Sequence, residues 1–220
     1  YSILSHIWKR ISKSELINEV IIITSEDQSD DIIYDHCILK SMPVFRGSLL
    51  NLLKRHYDAA IKFKGDVVLK IPSDCPLIDP EIIDKVITDF LESEVEYASN
   101  LHPMSLPDGM DVEVFSFDAL HKALSLADKK EDFEHTTTVM WKTKKFLIKN
   151  TFLSQYGEVA QKYRFTLDYE EDWNLIKLIY ENLYPNNPNF MLSEILMLMK
   201  DNPSFADINK KHLDDIWYLN

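Results

Sequence analysis

Two aspartates stand where an apolar run gives way to a polar turn. Asp74 follows Val67-Val68-Leu69-Lys70-Ile71-Pro72-Ser73, and Asp168 follows Arg164-Phe165-Thr166-Leu167. If each run is a strand of one parallel sheet, both carboxylates emerge on the same edge, where open α/β sheets bind their ligands. Two carboxylates so placed suit one divalent cation. Mg²⁺ takes one or two carboxylates and completes its shell with waters and phosphate oxygens. The same pattern also fits aspartates that only cap the helix or turn that follows, and pattern alone leaves both readings standing.

The elements that must position these residues are legible around them. Val67, Val68, Leu69 and Ile71 form a short run rich in β-branched residues, suited to a strand buried on both faces of a parallel sheet. Pro72 removes a backbone donor and closes the ladder. Asp79-Pro80-Glu81 reads as an N-cap, a proline at the first helical position and an acidic first turn. Ile82, Ile83, Val86, Ile87, Phe90 and Leu91 then recur at helical spacing.

Upstream, Ile3, Leu4, Ile7, Trp8 and Ile11 mark an amphipathic helix, Glu19 to Thr24 a strand, and Ile32, Ile33 and Cys37 the inward face of a helix. Pro43-Val44-Phe45 is a second strand, followed by a helix with Leu49, Leu52, Leu53, Ala60 and Phe63 on one face. Downstream, Val112 to Phe115 alternates, which predicts a strand with one solvated face. Phe133 to Trp141 reads as one helix, Phe146 to Ile148 as an apolar run, and 170–183 and 191–199 as helices. Short apolar runs alternating with helices predict βαβ units: an α/β three-layer sandwich with a mostly parallel sheet. The expected organisation is a single domain over 1–220, with 185–220 as a helical C-terminal tail.

Composition narrows the function. A chain of 220 residues with 45% hydrophobic content can bury a sizeable core. The formal net charge of −12 argues against a nucleic-acid backbone as the main partner, but phosphates of a small molecule can be held by local groups and a metal. No apolar segment approaches the roughly 20 residues needed to span a bilayer, and no secretory signal pattern opens the chain, so a cytoplasmic protein without membrane contact is expected. Cys37 and Cys75 suggest neither a disulfide framework nor a zinc site.

Several motifs, in order, carry a resemblance: VFRGS with LLKRHYDAA, IPSDCPLIDPEIID, LPDGMDVEVFSFDAL and RFTLDYEEDW. Together, from about His6 to Lys211, they resemble the cytidylyltransferase-like proteins of the spore coat polysaccharide biosynthesis protein F type, relatives of the acylneuraminate and 3-deoxy-manno-octulosonate cytidylyltransferases. The resemblance implies a nucleotide-diphospho-sugar transferase (Rossmann-like) fold. It also implies transfer of CMP from CTP to an acidic sugar, giving a CMP-sugar and pyrophosphate, with Mg²⁺ as cofactor and pairing as a homodimer. Asp74 and Asp168 fall on the metal-holding, catalytic positions. Arg46, Gly47, Ser48 and Arg55, with Ser73, fall near the nucleotide. Asp108, Gly109, Asp111, Glu113 and His135 fall on the sugar side, although Asp111 also fits a residue that ties down its loop and His135 a hydrogen-bonded helix residue.

Three departures stand out. Ser73 replaces a usual glycine, and Tyr169-Glu170 replaces a usual Thr-Pro. The family's first strand and its phosphate-cradling loop should precede Tyr1, and a chain without them is expected to bind CTP poorly. Competing readings are a glycosyltransferase of the same fold, which Ser73-Asp74-Cys75 does not favour because it lacks an Asp-x-Asp motif, and a non-catalytic nucleotide-binding relative.

Overall fold

The computed structural model describes residues 2–216. Tyr1 and the end of the expected tail, 217–220, lie outside the described residues. The chain begins with α1 (Ile3–Ile11), whose N-cap Ser2 accepts the Ser5 N–H at 3.2 Å. It continues through β1 (Ile22–Ser25), α2 (Asp31–Leu39), β2 (Val44–Gly47), α3 (Leu52–Phe63), β3 (Val67–Lys70), α4 (Pro80–Leu91) and β4 (Tyr97–Ser99). Then follow β5 (Glu113–Ser116), α5 (Phe117–Leu126), two short helices α6 (Lys130–Glu134) and α7 (Thr138–Lys142), β6 (Ile148–Asn150), α8 (Glu170–Leu183) and α9 (Leu192–Asp201).

The strands form two sheets. β1 and β2 pair in parallel. The other four lie in the order β3-β5-β4-β6, with β5 antiparallel to both neighbours and β4 parallel to β6. Side-chain alternation on β4 and β5 divides the core into layers. Ala98 and Val114 face α4, α8 and α9, whereas Tyr97 and Phe115 face α3, α5 and α7. The result is the expected α/β arrangement of helices on both faces of a sheet.

Five expectations are corrected. β3 is not a strand buried on both faces between parallel neighbours: its partner is the antiparallel β5, and Val67 is 43% exposed. The alternating β5 has no solvated face, because it lies inside the sheet with helices on both sides; Glu113, Val114 and Phe115 are all buried. Residues 164–168 do not form a strand; they make a single parallel bridge, Arg164 to Asp108, and are otherwise irregular. The helix expected over 133–141 is broken into α6 and α7 around His135, which sits in extended conformation at the C-cap of α6. Helical spacing also placed Ile32, Leu49 and Leu91 in the core, and all three are exposed.

Candidate active site

Three loops meet beyond the carboxyl end of β3. The Asp74 carbonyl accepts the Leu167 N–H at 2.9 Å and the Thr166 hydroxyl at 3.2 Å, and the Asp108 carbonyl accepts the Phe165 N–H at 2.7 Å. Gly109 permits this stacking. Its φ is +97°, and a Cβ there would lie 2.4 Å from both Phe165 C and Thr166 N, so only glycine fits without displacing backbone. The Asp74 turn is anchored from behind: the Arg10 guanidinium donates to the Ile78 carbonyl at 2.7 Å and the Leu77 carbonyl at 3.2 Å, and the Tyr180 hydroxyl donates to the Pro76 carbonyl at 2.8 Å.

Asp74, Asp108, Asp111 and Asp168 are thereby gathered at one place. Arg164, 1% exposed, links two of them: its guanidinium donates to Asp108 at 2.9 Å, to Asp168, and to the fully buried Asp172 at 3.2 Å. Asp172 in turn accepts the N–H groups of Asp168 and Tyr169, each at 3.1 Å, and so caps α8. The negative charge is only partly offset. Burial, with Asp168 nearby, pushes the Asp74 carboxyl up. Burial pushes Asp108 up to about 6 despite Arg164, with Asp74 and Asp168 adding to it. Burial followed by Asp108 and Asp74 pushes Asp111 well above the usual carboxylate range.

Carboxylates that disfavour one another's ionisation form a donor set that a cation would relieve. Among the described residues, no three or more His, Cys, Asp or Glu side chains form a ready-made metal cage. Mg²⁺ is ordinarily held by one or two carboxylates together with waters and phosphate oxygens, so the residues present fit it. Asp74 is half-buried, and among the described residues its carboxylate accepts a 3.4 Å contact from the Cys75 thiol; Asp168 keeps 47% of its side chain exposed.

The residues expected near the nucleotide divide. Ser73 is exposed beside Asp74. Arg46, Gly47, Ser48 and Arg55 stand at the carboxyl end of β2 and hold their own loops together. Arg46 donates to the Ser25 and Asp27 carbonyls, each at 2.8 Å, and pairs with Asp31 at 2.6 Å. Arg55 donates to the Ser48 carbonyl at 2.8 Å, and the Ser48 hydroxyl accepts the Asn51 N–H at 3.1 Å. No hydrogen bond or ion pair among the described residues joins this group to the acidic loops.

On the expected sugar side, Asp108, Gly109 and Asp111 belong to the acidic cluster. His135 lies close enough to Lys70 that, after burial, the ammonium is the next influence lowering its pKa. The Glu113 carboxylate is engaged within the protein. It is buried, with one oxygen 2.5 Å from Lys70 Nζ and the other accepting the Tyr97 hydroxyl at 2.7 Å. Sequence reasoning missed Arg164, Asp172 and Lys70. A lysine closing the otherwise apolar run VVLK was the one signal available for Lys70.

Fold and site define the class: an α/β nucleotidyltransferase with a cluster of aspartates beyond its strand ends. The chain belongs to the cytidylyltransferase family, whose model matches residues 2–207. It is 30% identical over 208 residues to an uncharacterized protein of Methanocaldococcus jannaschii, covering 94% of this chain and 83% of that protein. It is 27% identical over 190 residues to the spore coat polysaccharide biosynthesis protein SpsF of Bacillus subtilis, covering 86% and 78%. Among solved structures, a cytidylyltransferase from Leptospira borgpetersenii superposes with a TM-score of 0.85 at 28% identity, covering 93% of this chain and 85% of that one. A CMP:2-keto-3-deoxy-manno-octonic acid synthetase complexed with CTP superposes with a TM-score of 0.52 over 69% and 78% of the two chains; at 9% identity that likeness is one of fold.

Proposed function

We propose that this protein transfers CMP from CTP to an acidic sugar, releasing pyrophosphate, to activate that sugar for surface polysaccharide or glycan assembly. The observation that carries the reading is the gathering of Asp74, Asp108, Asp111 and Asp168 at the end of β3 in a chain of the cytidylyltransferase family. The name of the SpsF relative supports the biosynthetic setting.

In the reaction a sugar hydroxyl attacks the α-phosphorus of CTP and gives up its proton to solvent, the bond from the α-phosphorus to the oxygen bridging to the β-phosphate breaks, and pyrophosphate leaves with its electron pair. Asp74 and Asp168 would hold Mg²⁺, which supplies charge neutralisation on the phosphates. Arg164 fixes the direction of Asp168 and Asp108, and the bonds from the Thr166 hydroxyl and the Leu167 N–H to the Asp74 carbonyl fix the spacing of the two loops. The protein's share of catalysis is position and electrostatics.

The test is pyrophosphate release from CTP with Mg²⁺ and a panel of acidic sugars. Asp74→Asn and Asp168→Asn should each lower the rate about 100-fold or more. Unchanged rates in both would reject the metal assignment, and CTP binding by calorimetry without turnover on any sugar would point to a non-catalytic relative.

A further inference from the structure

Lys70 is the last residue of β3, and the sheet register sets it directly across from Glu113 on β5. Its side chain is 15% exposed, that of Glu113 1%. Burial alone would lower the Lys70 pKa, but Glu113 outweighs it and holds the ammonium above its ordinary range. Burial alone would likewise raise Glu113, and Lys70 keeps it below the usual carboxylate range. The pair is locked a second time through the buried Tyr97 hydroxyl on β4. Among the described residues Lys70 hydrogen-bonds to Glu113 alone, so an ammonium with three donors keeps the others for something else.

A buried ion pair is a poor device for stability, since apolar residues of the same volume serve as well or better. What the pair does provide is a cation fixed at the strand end, near enough to Asp74, Asp111 and His135 to influence their charge. Resting on the nucleotidyl-transfer reading above, we infer that Lys70, held by Glu113 and Tyr97, presents its ammonium to an anionic oxygen of the reacting pair. That oxygen belongs to a CTP phosphate or to the carboxylate of the acceptor sugar.

Lys70→Met alone strands a buried carboxylate and is expected to destabilise the fold. The double variant Lys70→Met/Glu113→Gln removes both charges and should unfold near the wild-type temperature. It is nevertheless expected to lose about 10- to 100-fold in kcat/KM for pyrophosphate release, the range of a charge-assisted hydrogen bond, while Lys70→Arg keeps more. Weaker CTP binding by calorimetry with Mg²⁺ assigns the contact to phosphate; unchanged CTP binding with a raised KM for the acidic sugar assigns it to the carboxylate. A folded double variant with wild-type constants for both substrates overturns the inference. If the wild-type chain releases no pyrophosphate, the functional reading fails separately, and Lys70 is read by acetylation mapped with mass spectrometry. Protection of Lys70 by inorganic pyrophosphate or acetate then supports the anion contact, and equal labelling rejects it.

Discussion

Arg164 is buried among Asp108, Asp168 and Asp172 and also donates to the Asp215 carbonyl at 3.1 Å, while its own carbonyl accepts from Asn209 at 3.0 Å. One guanidinium thus ties the Asp108 loop, the Asp168 carboxylate, the start of α8 and the C-terminal segment. An ammonium cannot span these partners, because it lacks the planar fork that addresses several carboxylates at once. Arg164→Met should destabilise the protein by about 3–5 kcal/mol, the penalty for leaving a buried charge such as Asp172 unpaired. Arg164→Lys should recover only a minor part. Urea unfolding followed by circular dichroism checks both, and a Lys variant as stable as wild type would show that the fork is dispensable. In the sequence Arg164 read as the first residue of a strand. Its role became visible only when Asp108, 56 residues away, was placed beside it.

At the scale of elements, α4 shows how well local signals survive folding. Asp79, 3% exposed, caps the helix as its residue type implied, accepting the Glu81 N–H at 2.8 Å. Its second oxygen accepts the Leu192 N–H at 2.7 Å, so the same carboxylate also positions the start of α9, a contact no local pattern announced. Asp79→Ala leaves both N–H groups without their acceptor and should lower stability by about 2–3 kcal/mol, more than an ordinary cap. Asp79→Asn, which keeps one acceptor oxygen, should restore roughly half. Thermal unfolding of the two variants separates a simple cap, for which they would differ by under about 1 kcal/mol, from the double role. The strands were less faithful to their pattern. β5 alternates in sequence yet is buried on both faces, because Glu113 is neutralised by Lys70 and Tyr97 rather than by water. A period of two reports only which residues share a face, and burial is decided by what packs there.

For the molecule as a whole, stability should depend on pH through His56. Its Nδ1 lies 2.8 Å from the Leu52 carbonyl and 2.9 Å from the Thr136 hydroxyl, tying α3 to the loop before α7. Burial lowers its pKa from 6.5 to about 4. The folded state therefore favours the neutral ring. The stability contributed is complete above pH 6.5 and is lost as pH falls from there towards 4, when the unfolded chain takes up the proton first. The loss should amount to about 2 kcal/mol, counting the partial solvent access of the side chain. Denaturation of wild type and His56→Gln at pH 7.5 and 4.5 isolates it from the carboxylates, whose titration is common to both proteins. A wild-type minus variant difference that is the same at the two pH values would refute it.

The sequence by itself determined the α/β class, the positions of α4 and α8, the N-cap at Asp79, and the two loops that bear Asp74 and Asp168. These rest on short-range physics: apolar spacing, capping chemistry and proline's missing donor act between residues a few positions apart. The tertiary structure alone decided that β3 pairs antiparallel with β5 and that 164–168 is an irregular passage held by Asp74 and Asp108. It also decided that Glu113 is spent on Lys70, and that Arg164 and Lys70 are the cations of an acidic site. Each of these depends on groups distant in sequence becoming neighbours in a medium where an unpaired charge is costly, and no local pattern records which partner will neutralise which.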